Sequence, residues 1–475
     1  VEPRPGTALA ALLLFAIAPF VVFLGASMMN HITTTAALLA AALALSRATS
    51  CSDARTGAAF LVGLALGVAA TIRPLDAAAF AIPTAAWLTW RVRMGRSHLV
   101  ALLASGIGVL IPVSLLLAVN HAQTGDAFTF GYIAMWGRTH ELGFHATPWG
   151  DVHTPMRGLE LVNLYLLRLQ TYLYESASPS LLFATAALAA ARRVTAFDRW
   201  MIACAMLLLA GYFAYFHDGF YLGPRFLLPM VPLLALWSAR LPAALTDRGI
   251  TDAARRTTVI AGCVSLLLGG ATLLPLRAQQ YRNGMLSLRI DTDAEARRAG
   301  VSGAIVLVRE SWGAQVMARL WARGVSRSDA EMVYQSADIC RLDEVLDRAE
   351  ARGDSGAAVL RAVAPLRADS AQLVAMRFAI DTSPRVLPGS VMTERCTRRI
   401  LEDRAGFTLY PPLLLARDTT NTYLRDLHAR DSLVIAPDES RPIFLLVKPP
   451  EVGAAIRFLP VDPDSMRREW RDGGP

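Results

Sequence analysis

Long apolar stretches separated by short polar connections dominate the first 277 residues of the chain. Such stretches are typical of helices that cross a bilayer, although a full crossing needs about 20 residues. The pattern predicts nine helices of this kind: residues 8–26, 33–46, 57–72, 77–90, 99–119, 178–191, 200–216, 224–239 and 258–277. Two of them, 33–46 and 178–191, are short enough to be either full spans or re-entrant segments.

The pattern changes after residue 277, where the apolar runs shorten to strand length. GAIVLV predicts a buried strand, and AQVMARLWARG predicts an amphipathic helix that ends at Gly324. Four later runs predict further short strands: LVAMRFAI, LYPPLLLA, SLVIA and PIFLLV. We therefore expect an all-α polytopic membrane bundle at residues 1–277, followed by a soluble α/β domain at residues 278–475.

Charge separates the same two regions and predicts an orientation. Residues 1–277 carry 19 Arg against 12 acidic residues, whereas the remainder carries 28 basic and 27 acidic residues. The arginines of the first region fall in every second connection: Arg47 and Arg55; Arg91, Arg93 and Arg96; Arg192, Arg193 and Arg199; Arg240, Arg248, Arg255 and Arg256. Arginine is retained on the cytoplasmic side of short connections, so these connections are predicted to be cytoplasmic.

The other connections are then predicted to face outward, together with everything after residue 277. They are residues 27–32, 73–76, 120–177 and 217–223. The positive excess is spread over short connections rather than gathered on a folded surface, so we expect membrane lipids and no nucleic acid as partners. Only Cys340 and Cys396 lie in the outward domain, where a disulfide could persist, with two free thiols as the alternative.

The long outward loop 120–177 is rich in Trp, Tyr, His and Gly, a composition that argues against disorder. Imidazole and carboxylate groups are common ligands of divalent metals, so one hypothesis is a metal site in this loop. Its ligands would come from His140, Glu141, His145, Asp151 and His153. Their spacing matches no metal signature, and the alternative is a polar loop packed over the membrane face.

Two arginines begin outward-facing helix ends. In TIRPLDAA, Arg73 and Asp76 lie between two apolar runs, and in FHDGFYLGPRFLLP, Arg225 follows Gly223 and Pro224. Ionisable residues at such depth suggest a functional site, and a guanidinium group can grip a phosphate with two hydrogen bonds. The alternative is structural, with both arginines extending to the head groups and Asp76 favouring a helix N-terminus.

Other polar residues share these outward ends. His217, Asp218 and Tyr221 flank Arg225 in the same stretch, and His31 follows Asn30 in SMMNHITTT. Thr33 or Thr34 could cap that helix, but helix capping does not explain His31.

Taken in order, an SMMNH turn, the GLALGVAATIRP helix end, the loop TGDAF…GY…WG…HELGF and the segment DGFYLGPRFLLPMVPLLAL resemble bacterial integral-membrane glycosyltransferases of the GT-C superfamily. Relatives in that superfamily include protein O-mannosyltransferases and lipid A aminoarabinose transferases. The resemblance covers most of residues 1–277, and PPLLLARDTTNTYLRDL and SRPIFLL extend it into the tail.

The resemblance implies sugar transfer from a polyprenyl-phosphate donor to a lipid, glycan or protein acceptor at the periplasmic face of the bacterial inner membrane. Arg225 and Arg73 would bind the donor phosphate. A supporting and acceptor-side set would surround them: Asp218, His217, Tyr221, Asp76, His31, Tyr132, Arg138 and His140. No cofactor is required by this reading, although a divalent metal is compatible with it.

In that family, an acidic residue in the first outward loop serves as the base, and no such loop precedes residue 8. We therefore expect an N-terminally truncated transferase that lacks an even number of helices and is inactive alone. The alternatives are a transporter or lipid-carrier flippase, or a non-catalytic membrane scaffold. Transporters tend to show repeats and mid-membrane charges, whereas here the charges lie at predicted span ends.

Overall fold

The structure is a computed structural model of the 475-residue chain. It describes residues 4–27, 29–50, 55–136, 140–147, 152–217, 219–283, 291–309, 312–367, 386–387, 389–394, 396–397, 420–426, 431, 435–436, 439–447, 455–462 and 464. The chain divides into two compact units. The first, here called the helical unit, comprises Val1–Ala134, His140–His145 and Val152–Arg277. The second, the C-terminal unit, comprises Met135–Thr139, Ala146–Asp151 and Ala278–Pro475.

Twelve α-helices precede residue 284 in the part of the chain that the structure describes. They are α1 (Pro5–Ala16), α2 (Pro19–Gly25), α3 (His31–Thr49), α4 (Thr56–Ile72), α5 (Pro74–Arg91), α6 (Arg96–Thr124), α7 (Gly131–Trp136), α8 (Pro155–Tyr172), α9 (Leu182–Ala190), α10 (Ala196–Phe213), α11 (Val231–Asp247) and α12 (Asp252–Asn283). Proline opens several of them, because its fixed φ suits the first helical turn and its missing N–H is not needed there.

Several apolar helices could span a membrane, which is consistent with a multi-pass membrane protein. Among the described residues, five are long and apolar enough: His31–Thr49, Arg96–Thr124, Ala196–Phe213, Arg225–Asp247 and Asp252–Tyr281. The pair α1 and α2, bent by 53°, makes a sixth if it is one broken span. The predicted count of nine is not confirmed, because α4 has 17 residues, α9 has nine, and α5 does not meet the same criterion.

Small residues allow α4 and α6 to approach closely. A Cβ atom on Gly63 would lie 1.8 Å from the carbonyl oxygen of Ser105, and one on Gly108 would lie 2.3 Å from that of Phe60. Backbone contact of this kind is typical of helix pairs in membranes. A larger side chain at either glycine would force the helices apart.

The predicted outward loop 120–177 contains more regular structure than expected, since it includes α7 and the 18-residue α8. Helix α8 begins at Pro155, and the Thr154 side chain accepts a hydrogen bond from the backbone N–H of Arg157. Its buried residues Leu161, Tyr165 and Leu169 recur every fourth position and form one apolar face. The expectation of a loop without regular structure was therefore wrong for this segment.

The C-terminal unit combines helices with a four-stranded sheet. Its described helices are α13 (Thr292–Arg298), α14 (Trp312–Ala322), α15 (Arg327–Ser336), α16 (Ile339–Ala351) and α17 (Ala357–Val363), and its strands are β1 (Ile305–Val308), β2 (Thr422–Arg425), β3 (Ile443–Val447) and β4 (Arg457–Pro460). The strand order is β2-β1-β3-β4, and β1 pairs in parallel with both neighbours. Strand β4 runs antiparallel to β3.

Several predicted elements of this unit form as expected. GAIVLV and PIFLLV supply the two central strands, and the helix in AQVMARLWARG ends before Gly324, which has φ +75°. Ala436, the last residue of SLVIA, is not in a strand, and LVAMRFAI and LYPPLLLA lie outside the described residues. Cys340 and Cys396 form a disulfide, with their Cα atoms 4.8 Å apart.

Candidate functional site

The stretch from Gly219 to Pro229 forms a tight turn that leads into α11. Gly219 has φ +60° and Gly223 has φ +112°, values that favour glycine. A Cβ atom on Gly219 would also lie 2.3 Å from the Phe226 ring. A 3₁₀ helix, Arg225–Met230, then continues into α11. The turn therefore fixes Arg225 and Phe226 at the start of a candidate membrane span.

Phe226 is the centre of the candidate site. Its ring stacks on Tyr212 with centroids 4.5 Å apart, and it lies 6.2 Å from the ring of His31. The guanidinium carbons of Arg73 and Arg225 lie 5.4 Å and 5.2 Å from the same ring centroid. Three residues predicted at separate outward connections therefore surround one buried aromatic side chain.

Arg73 is held by a network that joins two helices. Its Nε donates to Asp76 Oδ2 at 2.6 Å, and its Nη2 donates to the Tyr212 hydroxyl at 2.6 Å. The Tyr212 hydroxyl in turn donates to Asp76 Oδ1. Asp76 is fully buried, and both of its oxygens are occupied. Its role is to position and neutralise Arg73, whose Nη1 makes no hydrogen bond to the described residues.

His31 is buried but lacks hydrogen-bond partners. The residue is 2% exposed, and neither ring nitrogen has a partner among the described residues. Arg73 and Arg225 both act on its ring electrostatically. Leaving buried polar atoms unpaired costs about 1 to 3 kcal/mol, so such groups are uncommon without a functional reason. A ligand that offers hydrogen-bonding oxygens would remove that cost.

The start of α3 differs from expectation in one respect. No side chain caps this helix, and the hydroxyls of Thr34 and Thr35 instead donate to the carbonyl oxygens of Asn30 and His31. The threonines thus satisfy backbone carbonyls, and the imidazole of His31 has no hydrogen-bond partner in the described part of the chain.

A cavity of about 470 Å³ adjoins this cluster within the helical unit. Its wall contains these residues: Arg73, Asp76, Phe128, Phe130, Tyr132, His140, Glu141, Tyr212, Tyr215 and Phe226. Burial raises the pKa of the Tyr132 phenol, and the Glu141 charge raises it further. Burial also raises the pKa of Tyr215. Both phenols therefore remain protonated at neutral pH and can donate hydrogen bonds into the cavity.

The other predicted site residues have different surroundings. The His140 ring packs edge-on against Phe216, 5.4 Å between centroids, and Tyr221 lies 6.0 Å from the guanidinium carbon of Arg225. His217 Nδ1 accepts a hydrogen bond from the Gly219 backbone at 2.8 Å, so this histidine shapes the turn. Asp218 and Arg138 lie outside the described residues.

The histidines of the metal hypothesis pack separately. His153 is buried, stacks on Phe144 and hydrogen bonds through Nε2 to the Phe213 carbonyl at 3.1 Å. His145 Nε2 hydrogen bonds to the Glu141 carbonyl at 2.9 Å. Among the described residues no three His, Cys, Asp or Glu side chains group so that they could hold a metal ion, and Asp151 lies outside this set.

Sequence reasoning missed the aromatic half of the site. Tyr212 and Tyr215 occur in GYFAYF at the end of an apolar run, and Phe226 directly follows Arg225. A signal was present, because tyrosine hydroxyls at the end of a span are placed to meet polar groups at the interface. Only their proximity to Arg73 required the structure.

Comparisons with models of protein families, with curated proteins and with solved structures gave no match to this chain. The chemistry of the site follows from its residues. Two guanidinium groups and an unpaired imidazole suit an anion with several oxygen atoms, and the aromatic cavity suits a ring or apolar chain.

Proposed function

We propose that this protein is an integral-membrane glycosyltransferase that transfers a sugar from a polyprenyl-phosphate donor to a lipid, glycan or protein acceptor. The observation that carries the proposal is the convergence of Arg73, Arg225 and His31 around Phe226, at the ends of apolar helices. A lipid-linked phosphate has its tail in the bilayer and its charge at this depth, where these side chains lie.

Each group has a role in this proposal. Arg225 and Arg73 stabilise the negative charge that develops on the phosphate as the sugar leaves, because positive groups already in place need no reorganisation. Asp76 and Tyr212 hold Arg73 in position. Tyr132, Tyr215 and His140 line the cavity, about 470 Å³ in volume, in which the sugar and acceptor would meet.

The proposal includes a topology. Nine helices cross the bacterial inner membrane, with α4, α5 and α9 completing the count, and the C-terminal unit is periplasmic. The ends that bear His31, Arg73 and Arg225 then face the same outward side. Their proximity around one ring supports this arrangement, since residues at opposite membrane faces could not share a neighbour.

The test is polyprenyl-phosphate binding by the purified protein in lipid nanodiscs, with sugar transfer from the corresponding lipid-phosphate sugar assayed in membranes that contain the full-length protein. We expect Arg225→Ala to weaken binding about 30-fold, the loss of roughly 2 kcal/mol from charge-assisted hydrogen bonds. Arg157→Ala is the matched control, because Arg157 is an exposed arginine of the same unit whose ion-pair partner is Glu160.

Equal binding by wild type and Arg225→Ala, with both folded, would refute the proposed phosphate site. Binding without sugar transfer, accompanied by movement of the lipid across the bilayer, would instead identify a lipid-carrier flippase. If the protein neither binds nor transports the lipid, a non-catalytic scaffold would be the better description.

A further inference from the structure

A second cavity, with a basic wall, lies in the helical unit at the end of α9, the beginning of α10 and the end of α11. Its volume is about 620 Å³. Four arginines and two aspartates contribute to its wall: Arg4, Arg192, Arg193, Arg240, Asp198 and Asp247. It shares no lining residue with the cavity beside Phe226.

Asp198 is neutralised by the groups around it. Its carboxylate accepts hydrogen bonds from the Thr195 backbone N–H at 3.0 Å and from the Thr195 hydroxyl at 2.6 Å. The Asp198 backbone N–H donates in return to the Thr195 hydroxyl oxygen at 3.0 Å, and the two backbone N–H bonds form a capping box at the start of α10. It also accepts from Arg240 Nη1 at 2.6 Å and from Trp237 Nε1 at 3.3 Å. Both oxygens of this carboxylate therefore accept hydrogen bonds from groups of the protein itself.

The remaining charges leave the cavity positive. Arg4 pairs with Asp247 at 3.3 Å, so each acid of the wall has one arginine partner. Arg192 and Arg193 are exposed, and neither makes an ion pair or hydrogen bond to the described residues. Two guanidinium groups are thus available at the edge of a cavity whose own acids are already paired.

The cavity wall also has an apolar part. Leu188, Val194 and Trp237 line it together with alanines of α9 and α11. The side chain of Arg248 donates to the Ala190 carbonyl at 2.8 Å and so fixes the end of α9 beside the cavity. Because α10 and α11 are candidate spans, their ends lie where head groups meet hydrocarbon. A ligand here would have an anionic head and an apolar body.

We propose that this cavity binds an anionic glycerophospholipid, with its phosphodiester held by Arg192 and Arg193 and an acyl chain along the apolar wall. Guanidinium groups match phosphate oxygens in geometry, and basic pockets between membrane helices on the cytoplasmic side bind anionic head groups. The sequence predicts this side as cytoplasmic. A volume of about 620 Å³ accommodates a glycerophosphate head group with the first part of a chain.

The test measures lipid binding by native mass spectrometry of the purified protein, with phosphatidylglycerol and phosphatidylcholine as probes. Each basic residue near a membrane surface strengthens binding of anionic lipid about fivefold, so we expect wild type to prefer phosphatidylglycerol about 25-fold. Arg192→Gln with Arg193→Gln should remove most of that preference. The matched control, Arg93→Gln with Arg96→Gln, removes two exposed arginines from another predicted cytoplasmic connection and should retain it.

Three results would overturn the proposal. They are equal affinity of wild type for the two lipids, an equal loss in both double variants, and full competition by soluble glycerol 1-phosphate, which would indicate a site for free phosphate esters. Thermal unfolding in lipid-free detergent checks that both double variants fold. Because the two cavities share no lining residue, polyprenyl-phosphate binding should be unchanged, so this proposal and the proposed function can fail separately.

Discussion

Two partly buried arginines, one in each unit, show how differently the protein uses the same side chain. Arg319 in the C-terminal unit donates to three carboxylates: Glu350 at 3.0 Å, Asp343 at 3.2 Å and Asp347 at 2.6 Å. Arg73 in the helical unit has one carboxylate partner, Asp76, and has Arg225 and the unpaired His31 nearby. Burial acts against the charge of Arg319, but its carboxylate partners raise its pKa above the ordinary value.

The difference separates a structural ion network from a candidate binding site. An arginine surrounded by acids has no attraction left for a further anion. An arginine with one acid, close to a second arginine, retains that attraction. The comparison therefore predicts that substitutions around Arg319 change stability alone, whereas those around Arg73 change stability and ligand binding to different degrees.

The largest effect should come from Asp76→Ala. It leaves Arg73 buried without a counter-charge and Tyr212 without its acceptor, so we expect a loss of about 3 to 4 kcal/mol in the free energy of unfolding. Denaturant titration in detergent measures it. Asp76→Asn keeps the shape and part of the hydrogen bonding, and it should lose less. A loss under about 1 kcal/mol for the alanine variant would contradict the positioning role.

A smaller effect is expected for Arg319→Met. This change keeps most of the side-chain volume but leaves the largely buried Asp343 carboxylate without its cation, so unfolding should become easier by about 2 kcal/mol. Binding of polyprenyl phosphate in nanodiscs should not change. If the same variant weakens binding while the helical unit stays folded, the proposed difference in role between Arg319 and Arg73 is wrong.

His31→Phe should act in the opposite direction on stability. Phenylalanine has a similar shape and removes two unpaired ring nitrogens, so the ligand-free protein should gain about 1 kcal/mol. Affinity for polyprenyl phosphate should fall at the same time. Differential scanning calorimetry and nanodisc binding measure the two effects. A variant that is less stable and binds normally would show that His31 is structural.

The smallest effect concerns the ion pair of Arg441 and Glu439. Hydrogen bonds from Arg441 lower the pKa of Glu439 to about 2. This pair joins an exposed arginine to a partly buried carboxylate. A lowered folded-state pKa contributes stability above the ordinary pKa, and this contribution is lost as pH falls from about 4.5 toward 2. Arg441→Gln should return the pKa to its ordinary range, measured by NMR titration. It should lower the unfolding midpoint at pH 7 only slightly, because ion pairs screened by solvent contribute little.

The sequence by itself determined where most helices and the central strands lie. Uninterrupted apolar runs must form their backbone hydrogen bonds internally if they enter a membrane, and this fixes them as helices. GAIVLV and PIFLLV are uniformly apolar because they become β1 and β3, the two inner strands of the sheet. The edge strands β2 and β4 were missed because TYLR and RFLP face solvent in part and contain arginine.

Helix α8 was missed although Leu161, Tyr165 and Leu169 show its period, because the His and Trp content of the surrounding loop dominated the interpretation. The number of spans was also not determined. Apolar helices shorter than about 20 residues, such as α4 and α9, do not show by composition whether they cross.

Only the tertiary structure decided which side chains meet. Tyr212 and Asp76 are 136 residues apart and lie on different helices, so their hydrogen bond depends on how α5 and α10 rotate and pack. The same packing places His31 beside two arginines without a hydrogen-bond partner among the described residues, and it separates the loop histidines from one another. The sequence identified candidate side chains at helix ends, because periodicity and charge are properties of short segments. Packing selected among them, because it depends on the summed contacts of distant segments.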